Sequence, residues 1–326
     1  MKRRRSQKGQ NRKLLYRFLV LLELLVGAIG YALISNTDAL AGGLVMAWTG
    51  ANLLALWLVI SRKGLPIRKH LSSEPYIVAR LAVGNIAMHT TYVLGIKTVG
   101  IGVMVTMTAL GPLFVGWRKI WAIRRTLAGV LHISVRLLAI GGVAVVSEPW
   151  ADLQRMDESA IIGLLCGLVG AWSFWNYVSV FFGDRIPARI RVEVVAVADL
   201  VSLPLIALAV WVLGPIVGGG YSELWTKDAL FWGVLAGIIG FTIPTIITSI
   251  CADKVEASGA GAFYLADTPI ANVVGLVGAS IGLLPPEQEP SLWGWIGMAL
   301  VVTAVGVSSA LKSPEELVAD LPGKGR

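Results

Sequence analysis

The stretch EPWADLQRMDES at residues 148–159 divides the chain and decides how it is read. Glu148, Asp152, Asp157 and Glu158 stand there against one basic residue, Arg155. On either side lie the apolar runs 127–147 and 160–182. A helix of about 20 residues at 1.5 Å per residue crosses the ~30 Å hydrocarbon core of a bilayer, and each run is long enough to do so. Working outward, further runs fall at 14–34, 39–60, 75–96 and 99–117 before the divide, and at 193–213, 229–250, 258–283 and 292–311 after it.

The expected fold is therefore an all-α polytopic membrane protein of ten transmembrane helices, five on each side of the divide. An odd number per half makes the second half enter the membrane the opposite way round, which is inverted-repeat topology. The organisation expected is a cytoplasmic basic tail at 1–13, a first five-helix repeat at 14–147, an extracytoplasmic linker at 148–159, a second repeat at 160–311 and a cytoplasmic tail at 312–326. A weak internal echo agrees. Lys97, Gly102 and Pro112 have the same spacing as Lys254, Gly259 and Pro269. The pairs Gly163/Gly167, Gly233/Gly237 and Gly278/Gly282 allow close helix approach.

Composition points the same way. Of 326 residues, 56% are hydrophobic and 15% charged, against about 25% charged in soluble domains, and the mean hydropathy is +0.73. That is more apolar surface than a soluble core hides, so a membrane takes the excess. The alternating pattern of membrane β-strands is absent. The net charge of +8 would fit a nucleic-acid binder only if one soluble face held it; here the basic residues sit between apolar runs.

Their placement fixes orientation, because Lys and Arg collect on cytoplasmic loops. One side holds the N-terminal cluster, then Arg62, Lys63, Arg68 and Lys69, then Arg118, Lys119, Arg124 and Arg125, then Arg185, Arg189 and Arg191, then Lys254, and finally Lys312, Lys324 and Arg326. Only Lys97, Arg155 and Lys227 lie on the other, where the loop acids gather. The expected location is the cytoplasmic (inner) membrane, with both termini cytoplasmic. Arg17 and Glu23 interrupt the first run, which is read as a retained helix and not a cleaved signal peptide. Cys166 and Cys251 have no metal-ligand spacing and read as packing residues.

A charged side chain at the membrane centre is expensive, so such residues point to function. Glu23, Arg136, Asp199 and Asp267 lie deep by residue count. One arginine cannot neutralise three carboxylates; at least one acid is balanced by a proton, by water in a cavity or by something transported. Glu23, Asp199 and Asp267 are the proton-coupling candidates. Asn85, His89 and Tyr92 share one helical face, as do Trp172, Trp175, Asn176 and Ser179. Tyr264, Asp267 and Asn272 surround Pro269, and Pro112, Pro204, Pro244 and Pro269 can each kink a span by removing a backbone donor. His132, nearer the cytoplasm, reads as a loop or headgroup contact, and Arg80 as a residue reaching back to the inner surface.

No P-loop, H-E-x-x-H, G-x-S-x-G or CxxC pattern occurs. The chain reads as a non-enzyme with no cofactor and no metal, and any pumping is facilitated or ion-coupled. Its expected partners are a small-molecule substrate and membrane lipid, not nucleic acid, with a homodimer left open.

GIGVMVTMTALGPLFVGW at 100–117, GAWSFWNYV at 170–178, GAGAFYLADTPIANVVGLV at 259–277 and WGWIGMALVVTAVGV at 293–307 carry a resemblance. The chain resembles the EamA-type branch of the drug/metabolite transporter superfamily, in particular its threonine/homoserine exporter-like members. The resemblance implies a ten-helix inverted repeat around a central cavity that exports small metabolites, with Trp172, Pro112 and Pro269 at positions the family shares. Thr108 and Thr268 stand where those exporters often carry glutamates, so the cargo is not specified. A zwitterion suits the residue inventory, and with the resemblance the expected function is a secondary transporter that exports amino acids or related small polar metabolites by alternating access. Arg136 would take a carboxylate, Asp267 or Glu23 an ammonium, and Trp172, Trp175 and Tyr264 the apolar part. Efflux of apolar or cationic drugs and metabolites is the alternative within transport, and a membrane scaffold or enzyme the alternative outside it.

The substitution Asp267→Asn is expected to lower flux without lowering membrane abundance. Loss of one charge-assisted contact, about 1.5–3 kcal/mol, corresponds to about tenfold or more. Vesicle transport normalised to immunoblot signal measures it, and wild-type flux would remove Asp267 from the mechanism.

Overall fold

The computed structural model describes residues 2–62, 64–114, 117–146, 158–182, 186–217, 223–251, 264–284, 291–312 and 314–319. Among them the secondary structure is helical throughout, with no strand. The chain runs through α1 (Lys2–Leu33), α2 (Ala39–Arg62), α3 (Ile67–Ser73), α4 (Pro75–Ala87), α5 (Val93–Thr108), α6 (Leu110–Leu113), α7 (Trp117–Ala122) and α8 (Leu127–Val146). It continues through α9 (Glu158–Phe181), α10 (Ala188–Val217), α11 (Lys227–Ala236), α12 (Ile243–Cys251), α13 (Asp267–Ser280), α14 (Leu292–Ala310) and α15 (Pro314–Ala319). All but the last two residues of the acidic divide at 148–159 lie outside the described residues.

Seven helical segments are long and apolar enough to cross a membrane: Phe18–Asn36, Ala39–Ser61, Pro75–Ile96, Leu127–Val146, Ile161–Phe181, Ile190–Ile216 and Lys227–Cys251. Their outward faces are greasy, with Ile216 74%, Leu137 60% and Phe231 60% exposed. Water does not tolerate so much apolar surface on a monomer. The chain is a membrane protein.

Three of the ten expected spans are not among these seven. The run 292–311 forms α14, whose apolar stretch Leu292–Ser308 is shorter. In 258–283 the described helix is α13, and Pro269 occupies its third position, where a missing N–H interrupts no intrahelical bond. The run 99–117 is broken after Thr108. Helix α5 is helical over Val93–Thr108, yet it does not run straight. A Cβ on Gly95 would lie 2.4 Å from Met104 Sδ, nine residues on, whereas a straight helix rises about 13.5 Å over that interval.

Helix starts carry their own caps. Asp38 accepts from the Ala41 amide at 2.8 Å ahead of α2, Thr226 from Ala229 at 3.2 Å ahead of α11, and Ser291 from Gly294 at 3.0 Å ahead of α14. At the end of α13, Gly282 adopts φ +70° and the Leu283 amide returns to the Gly278 carbonyl, a left-handed cap that favours glycine.

Two π-helical segments interrupt the pattern, Met88–Tyr92 between α4 and α5 and Gly237–Thr242 between α11 and α12. Local hydroxyls compete for the backbone at both. Thr90 and Thr91 donate to the carbonyls of Ile86 and Ala87 at 2.6 and 2.7 Å, and Thr242 donates to that of Gly237 at 2.9 Å. Helix α2 lies against both segments. Its Gly43 faces the His89 carbonyl and its Gly50 the Phe241 ring, each with under 3 Å for an added Cβ.

Other main pairings are α9 on α5, α1 on α13, α10 on α4, α11 on α2, α2 on α10, α9 on α4, α1 on α12 and α8 on α14. A close backbone approach within the core joins α1 to the second π segment, where a Cβ on Gly30 would stand 2.1 Å from the Gly240 Cα. Backbone cannot yield as a side-chain tip can, so overpacking there is expected to cost about 1–3 kcal/mol. Gly30→Ala should therefore lower the thermal midpoint in detergent, while Gly141→Ala, which meets nothing within 4 Å, should not; equal midpoints for the two would refute this packing.

Candidate functional site

Glycines and small residues at the helix crossings leave a central cavity of about 90 Å³. At about 15 Å³ per water-sized centre, it holds roughly six. Helix α1 contributes Glu23, Gly27 and Tyr31; α4 and the first π segment contribute Asn85, Met88, His89 and Tyr92; α5 contributes Val105 and Thr108. From the later part of the chain come Ser173, Phe174, Asn176 and Tyr177 of α9, Gly240 and Phe241 of the second π segment, Pro244 and Thr245 of α12, and Asp267 of α13.

Aromatic rings make up part of the walls. Tyr31 meets Tyr92 edge-on at 4.8 Å between ring centroids, and His89 meets Phe241 at 5.3 Å, so each π segment supplies one ring of the second pair. Phe174 stands edge-on to Tyr264 at 5.0 Å. π-Segments re-aim side chains that a regular helix would stack one turn apart.

The charge is one-sided. Glu23 and Asp267 are acidic, and among the described residues no lysine or arginine lines the cavity. The Glu23 carboxyl, 7% exposed, faces the hydroxyls of Tyr264 and Thr248 and is near enough to Asp267 for the two acids to feel each other. Several buried polar atoms on the lining make no hydrogen bond: Glu23 Oε2, His89 Nδ1, and both Asn176 Nδ2 and Oδ1. Such groups, costly when left unsatisfied, mark where a polar guest gains most.

The structure gathers Glu23, Asn85, His89, Asn176 and Asp267 around this space. It places the other sequence-derived site residues elsewhere. Trp172 is 41% exposed and is not on the lining. Trp175 is packed under the Arg80 guanidinium at 5.6 Å, and Arg80 donates to Ser179 at 2.9 Å. Arg136, on α8, lies over the Trp117 ring at 5.9 Å and is not on the lining. Asn272 donates to its own helix at Thr268, and Tyr264 is fully buried behind Glu23.

Asp199 stands outside the lining, receiving a hydrogen bond from Asn85. Pro244 lines the cavity; Pro204 lies within a continuous α10. Pro112 falls in the short α6. His132 meets the Lys312 carbonyl at 2.9 Å, which ties α8 to the end of α14.

The sequence reading missed Tyr31, Ser173, Phe174, Tyr177, Phe241 and Thr245. Thr242, Thr245 and Thr248 recur every three residues in an otherwise apolar run, a polar stripe that marks one face of that helix.

No family model and no curated protein matches the chain. Thirteen chains of solved structures do. One, a crystal structure of a protein 19% identical in sequence, superposes with a TM-score of 0.60 over 92% of this chain and 98% of its own. The likeness is one of fold.

Accessibility tests the cavity without assuming a function. With the native Cys166 and Cys251 buried as free thiols, Met88→Cys is expected to react with a small water-soluble thiol reagent. Trp172→Cys should react only with a membrane-permeant one. The reverse pattern would place the open space elsewhere.

Proposed function

We propose that the chain is a secondary transporter of the inner membrane that exports small metabolites recognised through a protonated amine. The single observation that carries this is a cavity inside an apolar helical body whose lining has two carboxylates, several aromatic rings and, among the described residues, no lysine or arginine. An ammonium is held by carboxylates and by ring faces alike. The amino-acid reading relied on Arg136 for the carboxylate end, and Arg136 packs on Trp117, away from the lining. Amines therefore fit the cavity better than zwitterions.

We infer further that the chain has ten spans in two inverted five-helix repeats, with both termini cytoplasmic. The packing supports this. Exchanging α1 with α9, α2 with α10, α4 with α11–α12, α5 with α13 and α8 with α14 maps the main contacts onto one another: α9–α5 onto α1–α13, α10–α4 onto α2–α11, and α9–α4 onto α1–α12. The pairs α2–α10 and α8–α14 map onto themselves. The two π segments also exchange, and the cavity takes its lining from three exchanging pairs. The EamA-type resemblance agrees with this architecture, which carries alternating access by rocking one half against the other.

Counterflow in proteoliposomes with labelled phenethylamine, choline, leucine and lysine tests the cargo class. Phenethylamine exchange is expected to exceed leucine exchange by about tenfold or more, the value of one unpaired buried carboxylate end. Faster leucine than phenethylamine would restore the amino-acid reading, and no flux of any of the four would remove transport.

A further inference from the structure

Behind the cavity, on α10, lies a carboxylate that the cargo cannot touch. Asp199 is 3% exposed and is absent from the lining. Its Oδ1 accepts from Asn85 Nδ2, while its Oδ2 is buried without any hydrogen-bond partner. Asn85 does line the cavity. One planar amide thus touches the guest space on one side and a hidden acid on the other.

We propose that Asp199 is the proton site that drives exchange, and that Asn85 transmits its state to the cavity by turning its amide. This rests on the transporter reading above. An ionised carboxylate only accepts hydrogen bonds, so it takes the amide N–H and leaves Asn85 Oδ1 for the cavity, where it accepts from an ammonium. A protonated Asp199 donates its O–H to Asn85 Oδ1. The amide then turns by half a revolution and offers N–H to the cavity, against the ammonium. Proton on Asp199 and amine in the cavity exclude each other, so each amine bound releases one proton, and the charges balance.

The surroundings favour a proton over a metal ion. Hard cations take about six or more oxygen ligands, whereas Asn85 presents N–H to this acid, and no cluster of three acidic, His or Cys residues exists among the described residues. The titratable groups around Asp199 are Tyr177 of α9, Tyr31 of α1, and His89 and Tyr92 of the first π segment, which packs on α10. Helix α2, packed on α10, has no Asp, Glu, Lys, Arg or His from Ala39 to Ser61, and α12 offers only Cys251. On α10 itself Glu193 is taken up by His70 at 2.8 Å, and on α4 Arg80 bonds Ser179. Asp199 is left to the amide.

Calorimetric titration of phenethylamine into detergent-purified protein, in buffers of different ionisation enthalpy at mildly acidic pH, counts the protons released. The wild type is expected to release close to one per amine, with affinity falling about tenfold on acidification. Asp199→Asn should still bind the amine and release none. Asn85→Leu should bind more weakly and lose the pH dependence. Size-exclusion profiles and thermal midpoints guard against misfolding. Proton release persisting in Asp199→Asn would overturn the proposal and move coupling to Glu23 or Asp267. Loss of binding in a well-folded Asp199→Asn would also overturn it, by making Asp199 part of the amine site. If the wild type binds no phenethylamine, the cargo reading fails first; if it binds without releasing protons, only the coupling proposal fails.

Discussion

A polar group left unsatisfied in hydrocarbon is penalised by several kcal/mol, and everything else in this protein follows from that constraint. It forces the backbone into helices, because only a helix satisfies its own amides along a single segment. The same constraint sorts side chains. Ile216, Leu137 and Phe231 can face lipid; Glu23, Asn85, His89, Asn176 and Asp267 cannot, and they converge on the one interior space described here. The cavity is the place where residues that lipid rejects are allowed to keep unfilled hydrogen-bonding capacity.

That convergence needs room, and glycine supplies it. Helix α2 runs against both π segments, and its Gly43 and Gly50 are the positions where the His89 carbonyl and the Phe241 ring come closest. Gly30 and Gly240 bring α1 to backbone contact with the second π segment. A π segment shifts register by one residue, so His89 and Phe241 point at each other where a regular α-helix would turn one of them away. The threonines that bond back to the chain, Thr90, Thr91 and Thr242, help to hold that irregular geometry in a medium without water to stabilise it.

Much of this was legible from residue order, and the limits have a physical origin. Runs of about 20 apolar residues are read directly because the bilayer fixes their length. A deep polar residue is read as facing inward because lipid excludes it, which found Glu23, Asn85, His89, Asn176 and Asp267. Periodicity gives a face of one helix but not its neighbour. Trp172 and Asn176 share a face by spacing, yet Trp172 sits 41% exposed while Asn176 is fully buried. Arg136 is equally deep, and its partner Trp117 lies on a different helix, beyond the turn at 123–126, which no spacing rule reaches. The two π segments carry no signal at all, since i→i+5 bonding depends on what packs alongside. Aromatic cavity residues such as Phe241 look like any core residue until the helix that presents them is placed.

Under the proposed exchange of halves, the framework repeats but the charges do not. The acids Glu23, Asp199 and Asp267 lie on α1, α10 and α13; the helices that exchange with these are α9, α2 and α5. Into the same cavity α9 and α5 send Ser173, Asn176 and Thr108, and α2 carries no acid at all. Neutral hydrogen-bonding groups thus stand across the pseudo-symmetry axis from carboxylates. On the transporter reading proposed above, symmetry of packing would give two equivalent ways of closing the cavity, one toward each side of the membrane. Asymmetry of charge would then set where a cation rests whichever way it is closed. A fold that repeats while its charges do not would let the barrier pass from one side to the other without the cation having to leave the carboxylates.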